Sequence, residues 1–225
     1  MGLLTEKYEY KKIKRTSVNG KRLYITPDGD AVASVTTILD ATKDKSHLYA
    51  WRKKVGEKKA IEITTEAAGV GTRMHKYLEL FIDNGEWPNA GSNPYAIQAH
   101  KMAEVIKDNA FCNITEIYGS EVALYMPKMY AGTTDIVCKY KDNIAICDFK
   151  QTNKPKLKEW IEDYYLQLTA YIEAHNEIYN TDIKQGHIFM CSRDLSYQQF
   201  DLFPEDYKSY KNKWYDRVYH YYESR

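Results

Sequence analysis

EVALYMPKMYAGTTDIVCKYKDNIAICDFK, residues 121–150, reads largely with a period of two and is interrupted twice, near Pro127–Met129 and at Lys141–Asn143. Period two is the repeat of an extended chain, whose successive side chains face opposite sides. The stretch therefore predicts three successive strands, EVALYM, GTTDIVCKY and NIAICDFK, joined by short turns. In the third strand Asp148 and Lys150 lie two apart and project to one side. A charged pair among Ile144, Ile146 and Phe149 is expensive to bury unless something compensates it, and a metal ion with a phosphate would. A turn at Lys141–Asn143 places Asp135 opposite the 148–150 stretch, and the turn near Pro127–Met129 puts Glu121 roughly opposite Asp135. A register slip of one residue would reverse the face. Three carboxylates and a lysine on adjacent strands make an oxygen-rich site suited to magnesium or manganese. On spacing alone, a solvated face with weak salt bridges explains the same residues equally well.

Outward from this meander, a long helix is expected over about 157–179. The strands GHIFMC and YQQFDL and a closing helix over about 204–223 follow. Upstream, IKRTSV and KRLYIT flank Asn19-Gly20, a dipeptide that favours tight hairpin turns. SVTTIL at 34–39 is a β-branched stretch. Helices are expected over roughly 46–62 and 64–83, the second broken or bent near Gly69 and Gly71, and over 94–110 from Pro94. The order predicts an α/β (α+β) fold with a mixed central sheet flanked by helices. With no repeats and no Pro/Gly-rich linker, one domain over 1–225 is the simplest parse. Residues 1–68 form its hairpin and helical cover, and 69–225 its core and C-terminal helix.

Composition only bounds the answer. Of 225 residues 44% are hydrophobic and 28% charged, as in ordinary globular proteins. No apolar run approaches a membrane span. MGLLTEKYEYKK lacks an apolar signal and carries Glu6 and Glu9, so a soluble intracellular protein is expected, with no membrane partner. The net charge of +1 decides nothing about nucleic acid, since acid for metals and base for phosphate cancel in the sum. The four cysteines lack CxxC spacing, which speaks against a zinc site. The 21 tyrosines are explained by packing and genome bias, or serve as stacking platforms for single-stranded bases.

Four blocks in order, G-T-R-M-H (71–75), G-T-T-D (132–135), D-F-K-Q (148–151) with Asn153-Lys154-Pro155-Lys156 behind it, and Q-L-T-A-Y (167–171), resemble the RecB-like branch of the PD-(D/E)XK nucleases. With S-V-T-T-I-L at 34–39, the chain looks most similar to the mitochondrial genome maintenance exonucleases and their phage relatives, which leaves a phage-encoded cytoplasmic protein possible. The resemblance implies a restriction-endonuclease-like core and a magnesium- or manganese-dependent deoxyribonuclease. Asp135 and Asp148 would ligate one or two ions, with the backbone carbonyl of Phe149 as a further ligand. Lys150 would orient the attacking water and stabilise charge on the phosphate. His75 would be a ligand reached from a helix packed over the sheet, Glu121 an acid ahead of the GTTD strand, and Gln167 and Tyr171 supports that contact substrate.

The resemblance also implies helices ahead of the core that restrict entry to single-stranded DNA with a free end. Lys53, Lys54, Lys58 and Lys59, with Lys154 and Lys156, would then form a track for the phosphate backbone; a solvated basic face is the plainer reading. Many relatives hold an iron–sulfur cluster through three cysteines near the end, but here only Cys191 lies beyond the core, so none is expected. Two other functions fit the sequence. One is a duplex-resecting recombination exonuclease or endonuclease of the same superfamily, and the other a non-catalytic DNA-binding module on a nuclease fold.

Overall fold

The computed structural model describes residues 2–18 and 21–224. The Asn19-Gly20 turn lies outside the described residues, but the strands it would join, β1 (Lys14–Val18) and β2 (Lys21–Ile25), pair antiparallel as the hairpin reading expects. After β3 (Ala31–Ser34), the β-branched 34–39 stretch turns into a helix, α1 (Val35–Thr42). The Ser34 hydroxyl accepts from Thr37 N and caps its first turn, while Val35, Ile38 and Leu39 are buried. A cap and an apolar stripe together outweigh the weak helix propensity of β-branched residues.

Next come α2 (Ser46–Val55) and α3 (Glu57–Asn84). The boundary expected between these helices near residue 63 is instead at Gly56, whose φ of +85° is left-handed, and the break expected near Gly69 and Gly71 does not occur. Both later glycines sit inside a continuous α3, which buries Val70, Met74, Leu78 and Ile82 at helical spacing. Packing of that stripe holds the helix through two glycines that propensity alone would penalise by about 1 kcal/mol each. α4 (Pro94–Ala110) starts as expected, with the Asn93 side chain accepting from Ala96 N.

The meander forms β4 (Ile114–Met126), β5 (Tyr130–Tyr140) and β6 (Asn143–Thr152). α5 (Glu162–Tyr179) begins five residues later than expected, after a single 3₁₀ turn at Lys158–Trp160. β7 (Gly186–Ser192), β8 (Tyr197–Leu202) and α6 (Pro204–Glu223) complete the chain.

All eight strands join one mixed sheet, ordered β1-β2-β3-β5-β6-β7-β8, with β4 also on β5. β3 runs parallel to β5 and β6 parallel to β7, and the other pairs are antiparallel. Helices α1, α5 and α6 bury Ile38, Leu168, Trp214 and Tyr221 in one core cluster with Leu124, Val137 and Ile146. Helices α3 and α4 form a second cluster, packing Met74, Leu78 and Met102 with Ile136, Cys147 and Phe149. The architecture is mixed α/β, a mixed central sheet flanked by helices. Among the described residues no helix is long and apolar enough to cross a membrane.

One irregularity of the sheet positions everything that follows. β4 runs along β5 from Tyr130 to Tyr140 and occupies one edge of it. The other edge is shared: β3 takes Tyr130 and Ala131, and β6 takes Ile136 to Tyr140. Between them Gly132, Thr133, Thr134 and Asp135 have no ladder partner on that side, so the sheet has a gap at GTTD.

Candidate active site at the gap in the sheet

The last β5–β6 pair is Ile136↔Cys147. Continuing that register sets Asp135 opposite Asp148, as the turn arithmetic expected. The strands diverge there, and Phe149 N donates to Asp135 Oδ2 at 2.6 Å. The same arithmetic holds for β4. Its pairs Ser120↔Ile136 and Val122↔Thr134 bracket Glu121 opposite Asp135. Glu121 has a φ of +50°, an uncommon conformation for a residue with a side chain. Lys150 lies on Asp148 as an ion pair, so the two do share a side of β6. The Lys150 ammonium also lies over the Tyr164 ring, 5.1 Å from its centre.

Helices from both faces complete the cluster. His75 on α3 places Nδ1 3.1 Å from Asp135 Oδ1. From α5, Gln167 Nε2 donates to Asp148 Oδ1 at 3.4 Å and to the Tyr171 hydroxyl at 3.2 Å. The first glycine of GTTD has a steric reason: a Cβ at Gly132 would stand 2.7 Å from the Tyr171 ring. Only a bare Cα lets that ring into the gap.

Charge is concentrated here beyond what pairing relieves. Burial pushes Asp148 up to about 6, aided by the Asp135 charge and opposed by Lys150. Asp135 goes the other way: burial would raise it, but His75, Lys150 and the Phe149 amide outweigh that and hold it low. Burial of its carboxyl, together with the charge of Asp135, pushes Glu121 up to about 7, although the residue as a whole stays exposed at the rim. Burial opposes charge on Lys150 as well, yet Asp148 and Asp135 raise it.

One ligand atom each from His75, Glu121 and Asp135 lies within 4.8 Å of the others. An imidazole beside the ionised Asp135 and a Glu121 pushed up by burial and that charge fits a divalent cation, which would relieve the repulsion between the two carboxylates. Asp148 and Lys150 border the same cavity of about 580 Å³.

Of the residues expected from the sequence, His75, Glu121, Asp135, Asp148, Lys150, Gln167 and Tyr171 all line this cavity, and Phe149 meets it through the hydrogen bond its backbone N–H donates to Asp135. The lysines do not. Lys53, Lys54, Lys58 and Lys59 are exposed on α2 and the start of α3, with Lys59 paired to Glu62. Lys154 and Lys156 follow β6 outside the lining, where Thr152 and Gln198 bond to their backbones.

Sequence reasoning missed two groups of lining residues. Thr72, Lys76 and Glu79 share the helix face of Gly71 and His75, and their three- and four-residue spacing was a readable signal. Arg15, Tyr24, Ser34 and Thr36 come from the N-terminal hairpin and the start of α1; Ser34 and Thr36 fall in the S-V-T-T-I-L block, but no local pattern gave any of the four a place at the site.

No protein-family profile matches the chain. Curated relatives do. Mitochondrial genome maintenance exonuclease 1 of Xenopus tropicalis is 28% identical over 182 residues, covering 73% of this chain and 50% of that protein. The Mus musculus protein of the same name is 26% identical over 223 residues, covering 93% and 64%. The chain thus spans about half to two thirds of the length of these relatives. A solved structure described as the crystal structure of SSO0001 superimposes with a TM-score of 0.41 at 14% identity, over 83% of this chain and 75% of that one.

Proposed function

We propose that the chain is a divalent-metal-dependent nuclease with the RecB-like PD-(D/E)XK core, working as one domain over 1–225. Within that class we read it as a DNA exonuclease akin to the mitochondrial genome maintenance exonucleases, taking single-stranded DNA from a free end. The observation that carries the reading is the meeting of Asp135, Asp148 and Lys150 at the gap between β3 and β6, with His75 and Glu121 brought to the same point from α3 and β4.

His75, Glu121, Asp135, Asp148 and the Phe149 carbonyl are the groups that would hold magnesium or manganese. Bound there, such a cation withdraws charge from a phosphate and makes water a better nucleophile at neutral pH. The chain's own residues do the rest. The Phe149 amide and His75 fix both oxygens of Asp135, and Gln167 steadies Asp148. Lys150 keeps its proton beside two carboxylates, so a donor and a positive charge stand ready for a phosphate oxygen as negative charge builds in the transition state. Tyr171, seated against Gly132, closes one wall and orients Gln167.

Single-strand entry is supported by the helices ahead of the site. No residue of α2 is buried, and between Glu57 and Gly69 only Ala60 of α3 is. Most side chains of these basic turns are left exposed, free to meet a strand. The test is digestion of end-labelled linear single-stranded, duplex and covalently closed circular DNA with magnesium. Degradation of the linear single strand and sparing of the circle is the expected result. Rapid cutting of the circle would mean an open endonuclease cleft, and no cutting of any substrate would remove the catalytic reading.

A further inference from the structure

We infer that Arg15, on the N-terminal hairpin, binds a backbone phosphate of the substrate strand next to the one placed for reaction. This makes the hairpin part of the substrate site and not only a cover. The inference rests on the nuclease reading above and goes beyond it, since none of the resembling blocks reaches β1.

Four cationic or potentially cationic side chains line the cavity: Arg15, His75, Lys76 and Lys150. Three are committed to carboxylates. His75 is on Asp135, Lys150 is on Asp148, and Lys76 Nζ is 2.8 Å from Glu79. Arg15 alone among the four has no ion pair or side-chain hydrogen bond among the described residues, although Glu79, Glu121, Asp135 and Asp148 share the cavity. A nucleic acid strand carries a negative charge at every linkage. Lys150 and a bound cation answer one of them. The neighbouring linkage meets a wall of carboxylates unless another cation faces it, and Arg15 is the uncommitted one. Its planar guanidinium matches a phosphate through two parallel donors.

The fold fixes this arginine relative to the reacting centre. Arg15 pairs in register with Tyr24 on β2, and β2 is held through β3 to Tyr130 and Ala131 of β5, immediately before GTTD. Tyr24 is buried, and its hydroxyl lies 3.5 Å from Thr133 Oγ1, two residues from Asp135. Because β3 and β6 share one edge of β5 with the gap between them, the hairpin and the carboxylates form opposite banks of a single opening.

The test measures binding of short single-stranded oligonucleotides by fluorescence anisotropy, with calcium replacing magnesium to suppress cleavage. Each oligonucleotide carries one neutral methylphosphonate linkage at a different position. Arg15 is exposed, so Arg15→Ala and Arg15→Lys should both fold, which thermal melting checks. The wild type should lose about tenfold in affinity at one particular linkage, the scale of a charge-assisted hydrogen bond. Arg15→Ala should bind the unmodified strand about tenfold more weakly and no longer respond to neutralisation of that linkage, while Arg15→Lys should recover part of the response. If Arg15→Ala keeps every positional sensitivity, or weakens binding without losing any one of them, the phosphate contact is wrong. The nuclease reading would then stand on wild-type binding and cleavage. Failure of the wild type to bind any oligonucleotide would instead overturn that reading and this inference with it.

Discussion

His75 and His175 are both packed into the protein, yet their surroundings drive them in opposite directions. Burial alone acts on His175, which is enclosed by Tyr8, Tyr10 and Tyr179 and is pulled down to about 4. Burial acts on His75 too, but the Asp135 carboxylate overcomes it and lifts the imidazole to about 9. The hydrogen-bond partners of His175 are neutral and satisfy both ring nitrogens: Tyr10 OH meets Nε2 at 3.2 Å, and Nδ1 meets Thr181 Oγ1 at 2.8 Å. The cleft around His75 holds several carboxylates closer than they would settle on their own. A folded protein maintains such crowding where a cation and a phosphate are to arrive, because relieving it is what binds them. The aromatic region fits a stabilising role, and the cleft fits the chemistry proposed for it.

The sharpest way to break this contrast is at the cleft. Asp148→Asn or Lys150→Ala should reduce cleavage of end-labelled single-stranded DNA on the order of 100-fold or more, with the melting transition retained. Cleavage near the wild-type rate by either folded variant would return these residues to the status of a solvated salt bridge. Chelation should abolish activity just as completely, and added magnesium or manganese should restore it. Full activity in excess chelator would remove the metal from the reading.

The tyrosine-lined region makes a different prediction, read in stability. His175 has a native value of about 4 against an ordinary 6.5, so the unfolded chain binds the proton first as pH falls. Stability is therefore full above about 6.5 and declines as pH drops towards 4, by up to about 3 kcal/mol from this group. His175→Gln, which cannot titrate, should lose some stability at pH 7 but show a flatter decline in denaturant melts across that window. An unchanged pH dependence would mean His175 is not the group responsible.

A smaller effect joins packing to chemistry. Gly132→Ala drives a methyl against the Tyr171 ring and should cost about 1–3 kcal/mol of stability. It should lower cleavage further by displacing Gln167 from Asp148, and wild-type kinetics in that variant would show that the ring does not support the site. The mildest test concerns the exposed lysines. Replacing Lys53, Lys54, Lys58 and Lys59 with Ala should flatten the salt dependence of single-strand binding by up to about 3 in log–log slope. A slope unchanged from wild type would leave them as solvated surface.

How far the sequence reached follows from the range of the forces involved. Asp135, Asp148 and Glu121 could be aligned from two short turns, because an antiparallel meander converts sequence distance directly into register and the side-chain period is fixed at two. The helix spanning 94–110 was readable for a similar reason, since its cap and proline act within one turn. The position of the helix break was not readable: Gly56, Gly69 and Gly71 look alike until the packing of Val70, Met74 and Leu78 shows which glycines are held straight. Nor could local pattern place Arg15 and Tyr24 at the cavity, because that depends on β3 pairing with β5 across nearly one hundred residues. Of the residues proposed to carry the chemistry, Glu121, Asp135, Asp148 and Lys150 were legible in the sequence through short-range geometry, and His75, Gln167 and Tyr171 through resemblance alone. The gap in which they meet, and the hairpin residues Arg15 and Tyr24 that line it, were decided only when distant strands competed for one edge of β5, which local periodicity does not encode.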